Sequence, residues 1–151
     1  METLRALGID FGERRIGLAI SDPAGRLAVP LATLERRSDR VAVAQIAEIA
    51  GREGIGRLVV GEPVSLDGSR GESALRARRF AAKLAARTGL PLTLVDEALT
   101  TVEAHARLRE AGVDLRREPG RLDAMAAQIL LQEVLDQPER PERPERPEDT
   151  R

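Results

Sequence analysis

Residues 8–22 read GIDFGERRIGLAISD. Two apolar runs flank Gly12, Glu13 and a pair of arginines, a spacing that predicts two strands joined by a tight turn. Taken to their apolar limits, the strands cover residues 4–11 and 16–21. Asp10 stands inside the first run, where a strand should bury apolar side chains. Alternation puts Leu7, Ile9 and Phe11 on one face and Ala6, Gly8 and Asp10 on the other. The carboxylate thus shares its face with very small side chains. That leaves room beside it for a helix, a phosphate or a metal. The alternative is a structural Asp bonded to nearby backbone N–H groups at the strand end.

Outward from this hairpin, residues 27–34 predict a third strand, which Pro30 marks as an edge or bulged strand. Ser38 or Asp39 can cap a helix to about residue 52, with Val43, Ile46, Ala47 and Ala50 on one face. RLVVG at 57–61 is a short buried strand, expected parallel to the first. EPVSLDGSRGES follows as a loop, in which Ser69 and Glu72 have capping-box spacing for a helix through about residue 87. LTLVDE at 92–97 is a further strand. Thr100 and Glu103 fit a second capping box for a helix reaching residue 112, and a Pro119-Gly120 loop leads to a last helix at 122–135. The order βββαβαβαα describes an α/β fold: a mixed five-stranded sheet with helices on both faces. Residues 1–137 form one domain. Beyond them PER repeats three times before PEDTR, a proline spacing that predicts an extended, disordered tail over 138–151.

The 151 residues contain no cysteine, which excludes disulfides, thiolate chemistry and Cys-based zinc sites. A single histidine, His105, leaves little room for a His metal cage or a Ser-His-Asp triad. With no leader pattern and no apolar run near ~18 residues, a soluble cytoplasmic protein without membrane contact is expected. The net charge is −1, and up to residue 137 the basic and acidic residues balance. That balance does not announce nucleic-acid binding, although local patches outweigh the sum. Phe11 and Phe80 are the only aromatics, which argues against single-strand recognition by base stacking.

Two more acids stand out. Asp123 lies near the start of the last helix, heading a stripe of Ala127, Leu130 and Val134 that should pack inward; a helix-dipole role is the alternative. Asp96 and Glu97 close the LTLVDE strand at the sheet edge where α/β folds bind ligands. Alternation groups Asp96 with Leu92 and Leu94, against packed apolar surface or capping the next helix, and Glu97 with Thr93 and Val95; the pattern alone does not choose between them. Carboxylates gathered from three elements repel one another unless cations lie between them. Oxygen-only ligands suit Mg²⁺ or Mn²⁺. Two such ions can activate a water and stabilise the leaving oxygen in phosphodiester cleavage.

GIDFGERRIGLAISD, VVGEPVSLDGS, VDEALTT and GRLDAMAAQILLQ together resemble the four signature stretches of the YqgF/RuvX family. These are ribonuclease H-like proteins described as Holliday-junction-resolvase-like and as nucleases of pre-16S ribosomal RNA. The resemblance runs from about residue 4 to 135. It implies catalytic, metal-holding acids at Asp10, Glu97 (favoured over Asp96) and Asp123, a basic residue at Arg15 and a hydroxyl pair at Thr100 and Thr101. Arg15 and Arg70, on flanking loops, would contact phosphates. Two positions depart from the family pattern: Ala98 stands where an arginine is usual, and Glu62 where an apolar residue is usual. Glu62 reads as a surface acid or as an extra site carboxylate.

The resemblance implies a Mg²⁺- or Mn²⁺-dependent endonuclease acting on nucleic acid, pre-rRNA or branched DNA, with ribosomal particles as a further partner and a monomeric or homodimeric state. Family usage leans to maturation of the 5′ end of pre-16S rRNA. The other readings are a Holliday-junction resolvase, a non-catalytic ribonuclease H-like adaptor, and an ATPase of the sugar kinase and actin type. The last needs two such domains and far more residues.

Overall fold

Alternation of small and large side chains in the first hairpin decides what each face of the sheet can accept. The computed structural model describes residues 5–62, 71–96, 106–113 and 119–137. In chain order its elements are β1 (Ala6–Phe11), β2 (Arg15–Ser21), β3 (Ala28–Glu35), α1 (Asp39–Arg52), β4 (Arg57–Glu62), α2 (Glu72–Thr88), β5 (Leu92–Asp96) and α3 (Pro119–Asp136), with residues 106–110 also helical. The five strands form one sheet in the order β3-β2-β1-β4-β5. β1 pairs antiparallel with β2, and β2 with β3; β1 pairs parallel with β4, and β4 with β5. This is the expected mixed sheet. The register shift between Leu18 and Ala19, opposite Pro30, is the expected irregularity of the edge strand.

The large side chains define one face. Leu7, Ile9, Phe11, Ile16, Leu18, Leu58 and Val60 pack under Val43, Ile46 and Ala50 of α1 and Phe80 and Leu84 of α2. The small ones define the other. Ala6, Ala19, Ala28 and Val59 meet Ala127, Leu130, Leu131 and Val134 of α3. The inward stripe expected of the last helix is therefore correct, and α3 fills the room beside Gly8. A Cβ at Gly8 would lie 2.8 Å from the Leu131 Cβ, and one at Gly17 would overlap the Asp123 carbonyl. Much of the space expected for a ligand on this face is the seat of a helix.

The helix ends refine the expected boundaries. Ser38 is the N-cap of α1, its Oγ accepting from the Val41 N–H at 3.2 Å. α2 opens on Gly71 with no side-chain cap, so Glu72 is its first residue and the expected capping box does not describe its start. α3 begins three residues earlier than expected, because Pro119 fits the first helical position, where its missing N–H costs nothing. The Thr33 hydroxyl donates to the Gly120 carbonyl and ties this first turn to β3.

α3 also closes the sheet's edge. Gln132 Oε1 accepts from the Ala28 N–H at 2.9 Å and Gln128 Nε2 donates to the Ala28 carbonyl at 3.1 Å. These side-chain amides stand where a neighbouring strand would bond, and Pro30 offers no N–H, so β3 is blunted against further strand pairing. Among the described residues no helix is long and apolar enough to cross a membrane.

If the seat of α3 is set by backbone contact, Gly17→Ala should destabilise the protein by about 3 kcal/mol or more, at the upper end of overpacking costs. Gly51→Ala in α1, where nothing lies within 4 Å of the added Cβ, should instead stabilise it by roughly 0.5–1 kcal/mol. Urea unfolding of both variants checks the contrast. Equal effects would show that close approach of α3 is not what Gly17 provides.

Candidate active site

The parallel strands β1, β4 and β5 end together, and their register sorts the terminal residues by face. Asp10 lies opposite Gly17 of β2 on one side and Gly61 of β4 on the other, and Gly61 lies opposite Val95 of β5. This row faces α3, with Val95 packed against the α3 cluster. One residue on, Phe11, Glu62 and Asp96 turn to the α1/α2 face. Two glycines therefore flank Asp10, which is half-buried and makes contacts of its own. Gly17 admits the α3 backbone, and Gly61 puts no side chain beside the carboxylate.

Asp123 is brought to the same place. Its carbonyl rests on Gly17, the cross-strand neighbour of Asp10, at a Cα spacing of about 5 Å for such a pair. It lies in the second turn of α3, and the first turn carries no acid, so the helix dipole does not explain it. Its partner is Arg15, whose Nε donates to Asp123 Oδ2 at 2.7 Å. The Arg15 side chain is 41% exposed and that of Asp123 20%. Arg15, expected on phosphate, thus stands on one of the expected metal-holding acids.

The turn that carries Arg15 is held from the opposite face of the sheet. The Gly12 N–H donates to the Arg15 carbonyl at 3.0 Å, and the Arg36 N–H to the Arg14 carbonyl at 2.8 Å. Arg36 Nη1 donates to the Glu13 carbonyl at 3.0 Å, while its guanidinium lies 5.0 Å over the Phe11 ring, which stacks on Phe80. Arg76 of α2 adds an ion pair to Glu13 at 3.2 Å. Arg36 is in turn fixed by Asp39, which also binds Lys83. Burial raises the Asp39 pKa, but the hydrogen bonds from Arg36 and Lys83 outweigh it and hold the carboxyl below its ordinary value.

Two expectations need correction. Glu62 is neither a surface acid nor a site carboxylate: it is 3% exposed, and Arg78 Nε of α2 donates to its Oε1 at 2.8 Å. The register forces this, because Gly61 faces Asp10 and so the next residue faces α2. Asp96 is exposed at the end of β5, not packed against apolar surface, although it lies on the side opposite Asp10 as its grouping with Leu92 and Leu94 requires. Glu97, Arg70, Thr100, Thr101 and Ala98 lie outside the described residues. Sequence reasoning missed Gly17, Gly61, Arg36 and Arg78. For Gly17 a signal existed, since the period of two in IGLA sets it apart from Ile16 and Leu18; for Gly61 the apolar run LVVG carries none, and the register places it.

A family model described as RuvX: Holliday junction resolvase matches residues 4–137. A protein of Anaeromyxobacter sp. (strain Fw109-5) named "Putative pre-16S rRNA nuclease" is 47% identical over 133 residues, 88% of this chain and 97% of its own. A protein of the same name from Chloroflexus aggregans is 43% identical over 130 residues, 86% of this chain and 92% of its own. Among solved structures, T. thermophilus RuvC in complex with Holliday junction substrate matches with a TM-score of 0.56 at 17% identity, over 87% of this chain and 92% of that one. The Fowlpox virus resolvase in complex with its junction DNA gives 0.55 at 8% identity, over 87% and 97%. These two establish a common fold.

Arg78→Ala removes a cation from a buried carboxylate and should cost roughly 1–3 kcal/mol. Combining it with Glu62→Leu should recover most of that loss, since a buried pair is often replaceable by apolar packing. A double-mutant cycle by chemical denaturation reads both. The Asp39 clamp adds a pH test. A carboxyl with a lowered folded pKa contributes stability above its unfolded value near 3.8, and loses it as pH falls through the folded value. Stability of the wild type should therefore fall more steeply below about pH 4 than that of Asp39→Asn; parallel curves would show that the clamp carries no such linkage.

Proposed function

As the chain belongs to the RuvX family, described as Holliday junction resolvase, we propose that it is a metal-dependent endonuclease cutting phosphodiester bonds of structured nucleic acid, and that its substrate is the 5′ end of pre-16S ribosomal RNA in the cytoplasm. The names carried by its relatives support the RNA substrate. The observation that carries the reading is the convergence of Asp10 and Asp123, from β1 and α3, on one face of the sheet around a strip of glycine, with a cation already paired to one of them.

This donor set is oxygen-only, which fits Mg²⁺ or Mn²⁺. Asp10 and Asp123 would hold the ion together with Glu97, and the ion would supply an activated water and charge stabilisation at the leaving oxygen. The choice of Glu97 over Asp96 rests on register. In β5 Val95 faces α3 and Asp96 the side opposite Asp10, which disfavours Asp96. Arg15, Arg70, Thr100 and Thr101 are proposed to contact the phosphate backbone, which positions the substrate without reading its sequence. Residues 138–151 are proposed to be dispensable, since the family match ends at residue 137.

A second reading, a resolvase acting on branched DNA, is favoured by the family description itself. Cleavage of a pre-16S 5′ leader and of a four-way DNA junction by one preparation, with Mg²⁺, Mn²⁺ or EDTA, separates the two. Metal-dependent cutting of the leader alone is expected; cutting of the junction alone makes the protein a resolvase. Asp10→Asn, which conserves volume, should abolish cleavage with the melting temperature unchanged. Glu97→Gln should do the same, whereas the exposed Asp96→Asn should cut normally. Loss of cutting in Asp96→Asn with retention in Glu97→Gln would reverse their roles.

A further inference from the structure

Arg15 and Asp123 are 108 residues apart in sequence, yet they form a short charge-assisted hydrogen bond close to Gly17, the cross-strand neighbour of Asp10. Neither partner is loosely held. Arg15 is the first residue of β2, and its carbonyl closes the turn with Gly12. Asp123 is held by its own main chain against Gly17, two residues further along β2 and on the same face as Arg15. One carboxylate oxygen of Asp123 therefore already has a counter-ion. A divalent cation binding to that oxygen must displace Arg15 or share with it, and like charges at contact distance repel strongly. Arg15 is also equipped to leave. A guanidinium has five N–H donors, and among the described residues the bond to Asp123 uses only the one on Nε. Its side chain is 41% exposed, so an incoming phosphate can reach it.

We propose that Arg15 is a positioning residue that couples nucleic-acid binding to metal binding. Without substrate it occupies Asp123 Oδ2. A backbone phosphate of the substrate takes over the guanidinium and frees that oxygen for the divalent ion. Metal and nucleic acid then strengthen each other's binding, and by linkage each does so by the same factor. The protein accordingly holds its metal more tightly with substrate bound than without it. This rests on the nuclease reading above and adds to it the order in which charges are exchanged.

The test titrates Mn²⁺ into the full chain by calorimetry, alone and with a saturating 2′-O-methyl RNA hairpin of the pre-16S 5′ leader, which lacks free 2′-hydroxyls; a four-way DNA junction measured in Ca²⁺ serves as the second probe. In the wild type the hairpin should tighten Mn²⁺ binding about tenfold. In Arg15→Gln, Mn²⁺ alone should bind several-fold more tightly than to the wild type, the hairpin should bind more weakly, and the coupling factor should fall towards one. Arg14→Gln removes an exposed charge from the same turn that makes no ion pair among the described residues, and it controls for the general field. If Arg14→Gln shifts the Mn²⁺ affinity as much as Arg15→Gln, or if Arg15→Gln leaves it unchanged, the coupling is overturned. Should Arg15→Gln not fold, the wild type alone decides, since a hairpin that does not tighten Mn²⁺ overturns the proposal. A wild type that cuts leader RNA but shows no coupling loses this inference only. A wild type that binds neither probe loses the nuclease reading with it.

Discussion

Backbone-to-backbone contact between α3 and the β1–β2 hairpin is the constraint from which the rest of the arrangement follows. A helix can lie that close to a sheet only where side chains are missing, and Gly8 and Gly17 supply the gap. A side chain at either position would run into α3. The same contact places Asp123 one strand from Asp10, draws Gln128 and Gln132 onto the free edge of β3, and buries Leu130 and Leu131 over the sheet. Packing, edge protection and site assembly are thus one event, because a single rigid helix carries the residues for all three.

The two faces of the sheet divide the labour. The α1/α2 face is a conventional apolar core, with Phe11 stacked on Phe80 and large aliphatic side chains between the layers. Its polar edge fixes the Gly12 turn through Arg36, Glu13 and Arg76. The α3 face is built of small residues and carries the acids. Most anchors of the turn carrying Arg15 come from the first face, whereas Asp10 and Asp123 lie on the second. The Glu62–Arg78 pair belongs to the first face. It shows how a polar residue can replace an apolar one at the end of β4 when an adjacent helix brings the opposite charge.

The hairpin, the parallel strands, the crossover helices and the inward stripe of α3 were legible in the sequence, because each is a local period of two or 3.6 bounded by turn residues. Asp10 was legible for the same reason: a carboxylate among Ala6 and Gly8 breaks the pattern that its neighbours keep. Asp123 stood out as the polar head of an apolar stripe. The grouping of Asp96 with Leu92 and Leu94 also followed from alternation. The exposure of Asp96 did not, since it depends on how far the helices extend over β5, an edge strand.

What the sequence determined by itself is everything carried by near neighbours along the chain: the element order, the two-faced character of each strand, and which acids break the apolar pattern. What only the tertiary structure decided is pairing across distance. That Arg15 meets Asp123, that Glu62 meets Arg78 and that Gly17 is the seat of a helix all depend on residues 16 to more than 100 positions away. A side chain's face is set by its strand's period, but its partner is set by which element packs over that face, and no local pattern encodes that choice.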